Sequence, residues 1–263
     1  MKKISILIFM ALISAGSLRA QSSYFRMGFR IGGNMSTMYD VKADGVDAPS
    51  IFAGKASYKM KPGVRAGLVF NFKMNNVVIQ PALYYTLQRW GSSCAYNLTD
   101  TIRLNVTEVM HMQMLHIPVM VYYNFHYGNK NHAFVIGAGP YLSVALSGKD
   151  VMDGTFYDNV TKQSLDVRGE ANFYKNEQVS FYCKQIDDKW LTIPTKFDQQ
   201  LYTRCDFGFS FAAGFQLKSF YIGAGCDVGA INTAKQKSWE KAGVHGYTQR
   251  NLNIHLTLGF DFN

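Results

Sequence analysis

The most constraining feature of the sequence is an alternation of apolar residues with polar or small ones, repeated in eight separate segments. The clearest segment runs from Thr203 to Leu217, where every second position from 207 onward is apolar. The positions between them carry Asp206, Gly208, Ser210, Gly214 and Gln216. The other seven segments span 25–38, 64–72, 77–90, 109–125, 132–147, 220–231 and 250–262. A period of two predicts β-strands whose two faces meet different surroundings.

The length of these segments indicates what surrounds them. A tilted strand needs roughly nine to eleven residues to cross a bilayer, whereas strands of soluble proteins average about five or six. Charged residues make up only 17% of the chain, against about a quarter in soluble domains. The sequence contains no run of about 18 apolar residues, which a membrane-spanning helix would need. The sequence therefore predicts an all-β fold, an eight-stranded antiparallel up-and-down transmembrane β-barrel.

The connections between the segments alternate between short and long. The short ones are 73–76, 126–131 and 218–219; the long ones are 39–63, 91–108, 148–202 and 232–249. In outer-membrane barrels, short turns face the periplasm and long loops face outside. We therefore expect both mature termini to be periplasmic and the barrel to close without an open edge. Eight strands enclose little more than their own side chains, so a wide pore is not expected.

The first twenty residues have the features of a secretory signal peptide. Lys2 and Lys3 precede a mostly apolar stretch, and Ala20 stands at the expected cleavage site. Residues 1–20 are therefore predicted to be removed, which leaves the barrel in residues 21–263. Removal takes away three cations and no acid, so the formal charge falls from +9 to +6. This modest charge gives no case for nucleic acid, although it favours contact with anionic surfaces.

Several side chains on the predicted inward face are charged or bulky. Arg26 and Arg30 begin the first segment and Asp261 ends the last, so barrel closure predicts an ion pair among them inside the lumen. Three prolines lie within strands, namely Pro81, Pro118 and Pro140. A proline interrupts a hydrogen-bonded ladder, and we expect bulges or bends at these positions.

Methionine and histidine residues in the fourth segment suggest a metal site as one alternative. Met110, Met112, Met114 and His116 alternate onto one face, with His111 between them. Thioether and imidazole ligands suit copper(I). Flexible methionine side chains that fill the lumen are the interpretation we favour, and no motif in the sequence requires a cofactor.

Cysteines and possible catalytic residues are spread over several segments. Export to an oxidising compartment allows disulfides, and Cys94 and Cys183 lie in different long loops and could pair. Cys205 is expected near the outer rim, and Cys226 on the lipid-facing side as a free thiol. An enzyme would need a cluster at the rim; the candidates are Ser92, Ser93, His111, Asp206 and His245, with no spacing that singles them out.

Short motifs in the predicted strands resemble those of a known family. They are Leu115-His116-Ile117-Pro118, Gly137-Ala138-Gly139-Pro140-Tyr141, Gly229-Ala230-Ile231-Asn232 and the opening stretch from Gly28 to Asn34. In these motifs the chain resembles the PorT-type outer-membrane β-barrel family of Bacteroidetes, over nearly the whole mature chain. The resemblance implies an outer-membrane barrel, and its named member implies a link to type IX secretion.

Three functions remain open from the sequence. We favour a non-enzymatic outer-membrane barrel that contacts outer-membrane lipid and whose long loops bind a protein or glycan partner, or that stabilises the envelope. The loop 148–202 mixes aromatic and charged residues, a composition that suits such contacts. The alternatives are a membrane-embedded enzyme that acts on lipid or peptide, and a soluble barrel that binds a small ligand.

Overall fold

The computed structural model describes residues 24–44, 57–97, 100–127, 132–172, 174, 178–184, 190–196, 202–241 and 245–262. Eleven strands and one short helix occupy these ranges. The strands are β1 Tyr24–Asp44, β2 Ser57–Met74, β3 Val77–Asn97, β4 Ile102–His126, β5 His132–Asp158, β6 Ser164–Asn172, β7 Gln178–Lys184, β8 Trp190–Lys196, β9 Cys205–Leu217, β10 Phe220–Gly229 and β11 His245–Asp261. The helix, α1, is Gln236–Lys241. Within these ranges no helix has the length and apolar character to cross a bilayer.

Eight of the strands form a closed ring. The order around the ring is β1, β2, β3, β4, β5, β9, β10 and β11, and β11 pairs with β1 to close it. Every neighbouring pair is antiparallel. The predicted eight-stranded antiparallel barrel is confirmed, and closure leaves no unpaired strand edge in the ring.

The two faces of each ring strand differ as the alternation predicts. On β9 the side chain of Phe209 is 50% exposed, whereas that of Ser210 is 3% exposed. Phe207, Phe211 and Phe215 are exposed in the same way. On this strand the large apolar side chains therefore face outward, and the polar and small residues between them face the interior.

The outward apolar side chains form a band of bilayer height. On β4 the band runs from Leu115 to Phe125, ten residues apart. At about 3.3 Å per residue and a strand tilt of about 45°, this stretch is about 23 Å high. Ring pairs at the short-turn end, such as Phe25 with Phe72 and Phe220 with Phe260, have centroids 5.2 Å apart. These aromatic pairs fit an interfacial girdle.

The predicted long loops are wrong in part, because strands continue through them. The expected loops were 39–63, 91–108, 148–202 and 232–249. β3 instead reaches Asn97, β4 begins at Ile102, and β5 continues to Asp158. Strands β6, β7 and β8 then extend the sheet from the upper part of β5. Beyond the membrane both faces of a strand meet polar surroundings, so pairing persists while the alternation fades.

The bulges do not lie at the three prolines where they were expected. The register is the same on both sides of Pro81, Pro118 and Pro140. Shifts lie elsewhere: between Lys61 and Val64 in β2, at Pro62, beside Gln113 in the pairing of β4 with β5, and between Tyr39 and Asp44 in the pairing of β1 with β11. Because an N–H in an antiparallel ladder serves one neighbour only, a strand can keep its register where one donor is missing.

Candidate functional site

The centre of the lumen is built around the carboxylate of Asp227 on β10. Three basic side chains approach it from three other strands. Arg65 Nη1 lies 3.5 Å from Oδ2, and the Nε2 atoms of His116 and His255 lie 3.6 Å and 3.7 Å from Oδ1. All four residues are buried. The carboxylate is thereby compensated inside a low-dielectric interior, where an unpaired charge would be costly.

Neutral donors complete this network. Ser210 Oγ donates to Asp227 Oδ1 over 2.7 Å, and Asn253 Nδ2 donates to Oδ2 over 2.9 Å. The other end of the Asn253 amide, Oδ1, accepts from Asn34 Nδ2 and from Ser36 Oγ, each over 2.9 Å. The network therefore joins β1, β9, β10 and β11 through side chains in addition to the backbone ladders. Together with Arg65 on β2 and His116 on β4, which approach Asp227 from across the lumen, it links six strands of the ring.

A second ion pair lies near the short turns. Arg30 Nη1 is 2.6 Å from Asp261 Oδ1, and both side chains are buried. Gln216 Nε2 donates to Asp261 Oδ2 over 3.1 Å, and the Arg30 guanidinium lies 4.8 Å from the centroid of the Tyr221 ring. The lumenal ion pair predicted between the first and last strands is confirmed. Arg26 lines the pocket of about 120 Å³ that opens beside Asp261.

The outer end of the lumen is closed by methionine and aromatic side chains. The buried cluster consists of Met38, Trp90, Met110, Met112, Met114, Ala145, Tyr174 and Tyr202. Trp90 Nε1 donates to Met110 Sδ over 2.7 Å. The midlumen cavity around Arg65 and Asp227 measures only about 30 Å³, room for about two water molecules at about 10–15 Å³ each. The described interior is thus filled by side chains, as expected for eight strands.

This packing gives the copper hypothesis for Met110, Met112, Met114 and His116 no support. The three methionines share the inward face with His116, as predicted, but they pack against aromatic rings. His116 turns its two nitrogens to Ser143 Oγ, at 2.7 Å, and to Asp227. The described residues contain no group of three or more His, Cys, Asp or Glu side chains that could hold a metal ion.

Two carboxyl groups meet above this cluster, on the extensions of β4 and β5 beyond the apolar band. Ser92 Oγ donates to Glu108 Oε2 over 2.7 Å, and Asp150 is hydrogen-bonded to the same Glu108. Burial, together with the neighbouring Glu108 carboxylate, raises the pKa of Asp150 well above its ordinary value. At neutral pH the pair therefore holds a proton, since two adjacent carboxylates cannot both ionise at low cost.

The possible catalytic residues are not brought together. Ser92 faces inward to Glu108, whereas His111, on the neighbouring strand, faces outward beside Arg89 and Lys149. Asp206 is buried in the lumen, where it accepts from Tyr141 Oη and Asn251 Nδ2, each over 3.0 Å. The side chain of His245 lies outside the described residues. Asp206 lies one residue from the outer end of β9, and its side chain points into the barrel.

The cysteines follow the predicted positions where they are described. Cys205 is exposed and Cys226 is half-buried, and both thiols are free. Cys226 lies with Ala213 and Ala224 along a groove on the outward face, as predicted for a lipid-facing position. The side chains of Cys94 and Cys183 lie outside the described residues, so their pairing stays a prediction.

The central residues of the lumen were present in the alternation but were not recognised as a cluster. Arg65, Asp227 and His255 each occupy an inward position in their segment. The two-residue turn Lys218-Ser219 also places Ser210 opposite Asp227, which could have been read from the sequence. The approach of Arg65 depends on the way the barrel closes, and the local pattern does not encode it.

Comparison with known proteins identifies the family of this chain. The family model described as "Outer membrane protein beta-barrel domain" matches residues 19–263. The chain belongs to this outer-membrane β-barrel family. Its strand ring and outward apolar band are those of a membrane-spanning barrel, and the protein is accordingly an outer-membrane protein. A comparison with curated proteins gives no match.

Several solved barrels are similar to this member of the outer-membrane β-barrel family. Ail, the attachment invasion locus protein of Yersinia pestis, crystallised with the heparin analogue sucrose octasulfate, is 12% identical over 90% of this chain and 99% of its own, with a TM-score of 0.32. The outer membrane protein OprG from Pseudomonas aeruginosa is 11% identical over 92% and 97%, with a TM-score of 0.34. Neisserial surface protein A is 10% identical over 92% and 100%, with a TM-score of 0.31.

Proposed function

We propose that the protein is a non-enzymatic outer-membrane barrel whose outer sheet extension binds a protein or glycan partner or stabilises the envelope. One observation carries this proposal: the lumen is filled, while the sheet continues beyond the membrane. β4 has 25 residues and β5 has 27, more than twice the roughly nine to eleven that a span requires. The surplus builds a folded surface together with β6, β7 and β8.

The described part of this extension carries mixed charges on exposed positions. Lys149 Nζ lies 2.7 Å from Glu170 Oε2, and Arg168 lies 3.8 Å from both Asp153 and Glu170. Surface ion pairs of this kind add little to stability, and they leave polar groups available for contacts with a partner. Arginine next to acidic groups suits the polar rim of a protein interface as well as the hydroxyl groups of a glycan.

The orientation belongs to the same proposal. β1 begins beside the turn that joins β2 to β3, and β11 ends beside the turn that joins β9 to β10. Both ends of the described barrel therefore lie at the short-turn end. Short turns face the periplasm in outer-membrane barrels, so both mature termini are periplasmic and the sheet extension faces outside. The signal peptide at 1–20, which lies outside the described residues, fits export to this compartment.

A role as an accessory of type IX secretion is the sharper form of the proposal. It depends on the resemblance to the PorT-type family through the motifs at 28–34, 115–118, 137–141 and 229–232. These motifs lie on ring strands or directly after β10 and serve the barrel rather than the outer surface. Secretion of type IX cargo in a deletion strain, measured against a complemented strain, tests this form.

The broader proposal is tested by removal of the sheet extension. A variant that joins Ser147 to Thr203 through a short Gly-Asn-Gly turn keeps the ring, because Val144 pairs with Cys205 directly below the junction. The control variant replaces α1 with a flexible linker and keeps β6, β7 and β8. We expect the first variant to lose bound partners in a pull-down from outer membranes, or to raise envelope permeability, while the control keeps both properties. Unchanged partners and permeability in a folded deletion variant contradict the proposal.

The alternatives lack a supporting observation. The enzyme hypothesis needs a cluster at the rim, and the described candidates point into different environments. The soluble ligand-binding barrel is contradicted by the outward band, in which Phe207, Phe209 and Phe211 are exposed. A soluble barrel would bury these side chains.

A further inference from the structure

The strand register brings four basic residues into one line across the outside of the barrel. Lys61 on β2 pairs with Arg89 on β3, Arg89 pairs with His111 on β4, and His111 pairs with Lys149 on β5. Directly paired residues of neighbouring antiparallel strands have Cβ atoms about 4.5–5.5 Å apart. We call these four residues the basic row.

The basic row lies just beyond the outer edge of the apolar band. On β3 the last outward apolar residue of the band is Leu87, two positions before Arg89, which corresponds to about 7 Å along the strand. On β4, Leu115 is followed on the same face by Gln113 and then by His111. On β5, Leu146 precedes Lys149. A lipid whose acyl chains cover the band has its headgroup at the level of this row.

The positive charge of the row is only partly compensated. Nε of Arg89 is buried and has no hydrogen-bond partner. Among the described residues, no acidic side chain lies within 4 Å of the side-chain nitrogens of Lys61, Arg89 or His111, whereas Lys149 pairs with Glu170. Burial and the neighbouring cations Arg89 and Lys149 lower the pKa of His111. The row thus places several hydrogen-bond donors and positive charges side by side on the outer surface.

We propose that the basic row binds the phosphate group of an anionic lipid in the outer leaflet. Arginine donates two parallel hydrogen bonds to phosphate, and lysine adds a point charge. The adjoining apolar band holds the acyl chains of the same molecule, so a lipid satisfies both surfaces where a free anion satisfies one. The inference depends on the proposed function only through the orientation that places this rim outside.

The test uses the full mature protein in neutral detergent. Native mass spectrometry and vesicle flotation compare phosphatidic acid, which carries a phosphate monoester, with zwitterionic phosphatidylcholine. The test variant is Arg89→Gln with Lys61→Gln, the directly paired residues of the row that lie outside the sheet extension. Each basic residue near an anionic surface contributes about a fivefold factor, so the double variant should bind phosphatidic acid about thirtyfold more weakly. The matched control, Arg103→Gln with Lys237→Gln, removes the same charge at exposed positions away from the row.

The outcomes separate the sources of phosphate and the two proposals. Retention of phosphatidic acid by the wild type and the control, its loss in the test variant, and no displacement by millimolar inorganic phosphate support the inference. Equal binding by all three proteins, equal retention of phosphatidylcholine, or equally strong binding of inorganic phosphate overturns it. Failure of this test does not affect the proposed function, because Arg89→Gln with Lys61→Gln leaves the exposed charges and the strands β6, β7 and β8 of the sheet extension unchanged.

Discussion

Asp227 and Arg65, 162 residues apart in the sequence, meet across the filled lumen with 3.5 Å between Oδ2 and Nη1. Arg65 also lies with its guanidinium 4.1 Å from the centroid of the Tyr84 ring. One carboxylate thereby neutralises a permanent cation and lies beside two imidazole rings inside the barrel. The interior is a set of paired charges rather than a channel for solvent.

Substitution Asp227→Asn should destabilise the barrel by about 3–5 kcal/mol, because it leaves Arg65 buried without its counter-ion. The measurement is the temperature at which the folded band converts to the unfolded band on semi-native gels. Asp153→Asn removes an exposed carboxylate and should leave this temperature unchanged. The double variant Arg65→Gln with Asp227→Asn should recover much of the loss. An Asp227→Asn variant as stable as the wild type would show that the ion pair with Arg65 does not stabilise the barrel.

Close packing around Arg30 gives a second prediction. A Cβ at Gly259 would collide with the Arg30 side chain, whereas a Cβ at Gly33 would meet no atom closer than 4.0 Å. Gly259→Ala should therefore cost about 1–3 kcal/mol, as overpacking usually does. Gly33→Ala faces outward and should be close to neutral. Equal stability of the two variants on the same gels would contradict the described position of Arg30.

The carboxyl pair of the outer extension gives a pH dependence. The pKa of Asp150 is higher in the folded protein than in the unfolded chain, so the folded state binds more protons between the two values. Stability of the extension must then fall as the pH rises from about 4 toward the raised pKa, by up to about 1.4 kcal/mol per pH unit. Hydrogen exchange of β4 and β5 peptides between pH 5 and 8, corrected for intrinsic rates, measures this slope.

Asp150→Asn provides the matched comparison for this slope. It keeps the shape of the side chain and removes its titration, so the protection of the extension should become nearly independent of pH. Asp153→Asn, on the same strand but exposed, should keep the slope of the wild type. A wild-type extension whose protection is constant or rises over this range would refute the shared proton.

The ring was predictable because one physical contrast repeats along it. Lipid on one side and a filled lumen on the other impose apolar and polar alternation, which is visible from Phe207 to Leu217 as well as in the other seven segments. The pair of Arg30 with Asp261 followed from closure alone. These features depend on the nearest strand neighbours, and local sequence records them.

The outer extension and the lumenal centre were not predictable in the same way. Residues 148–158 of β5 pair with β4 and β6 where both faces are polar, so no alternation marks them. The approach of Arg65 to Asp227 depends on barrel closure and side-chain length, which no single segment contains. Glu108 and Asp150 meet diagonally across two strands whose extension was itself missed.

The most direct measurement concerns which side chains touch acyl chains. Single fluorophore-labelled cysteines at positions 209, 210 and 211, in a background without native cysteines, are reconstituted into vesicles and exposed to lipid-borne nitroxide and to iodide in the aqueous phase. We expect the lipid-borne quencher to act on the labels at 209 and 211 and to spare the label at 210. Stronger lipid quenching at 210 than at its neighbours, or iodide quenching at all three, would contradict a membrane-spanning barrel with its phenylalanines outward.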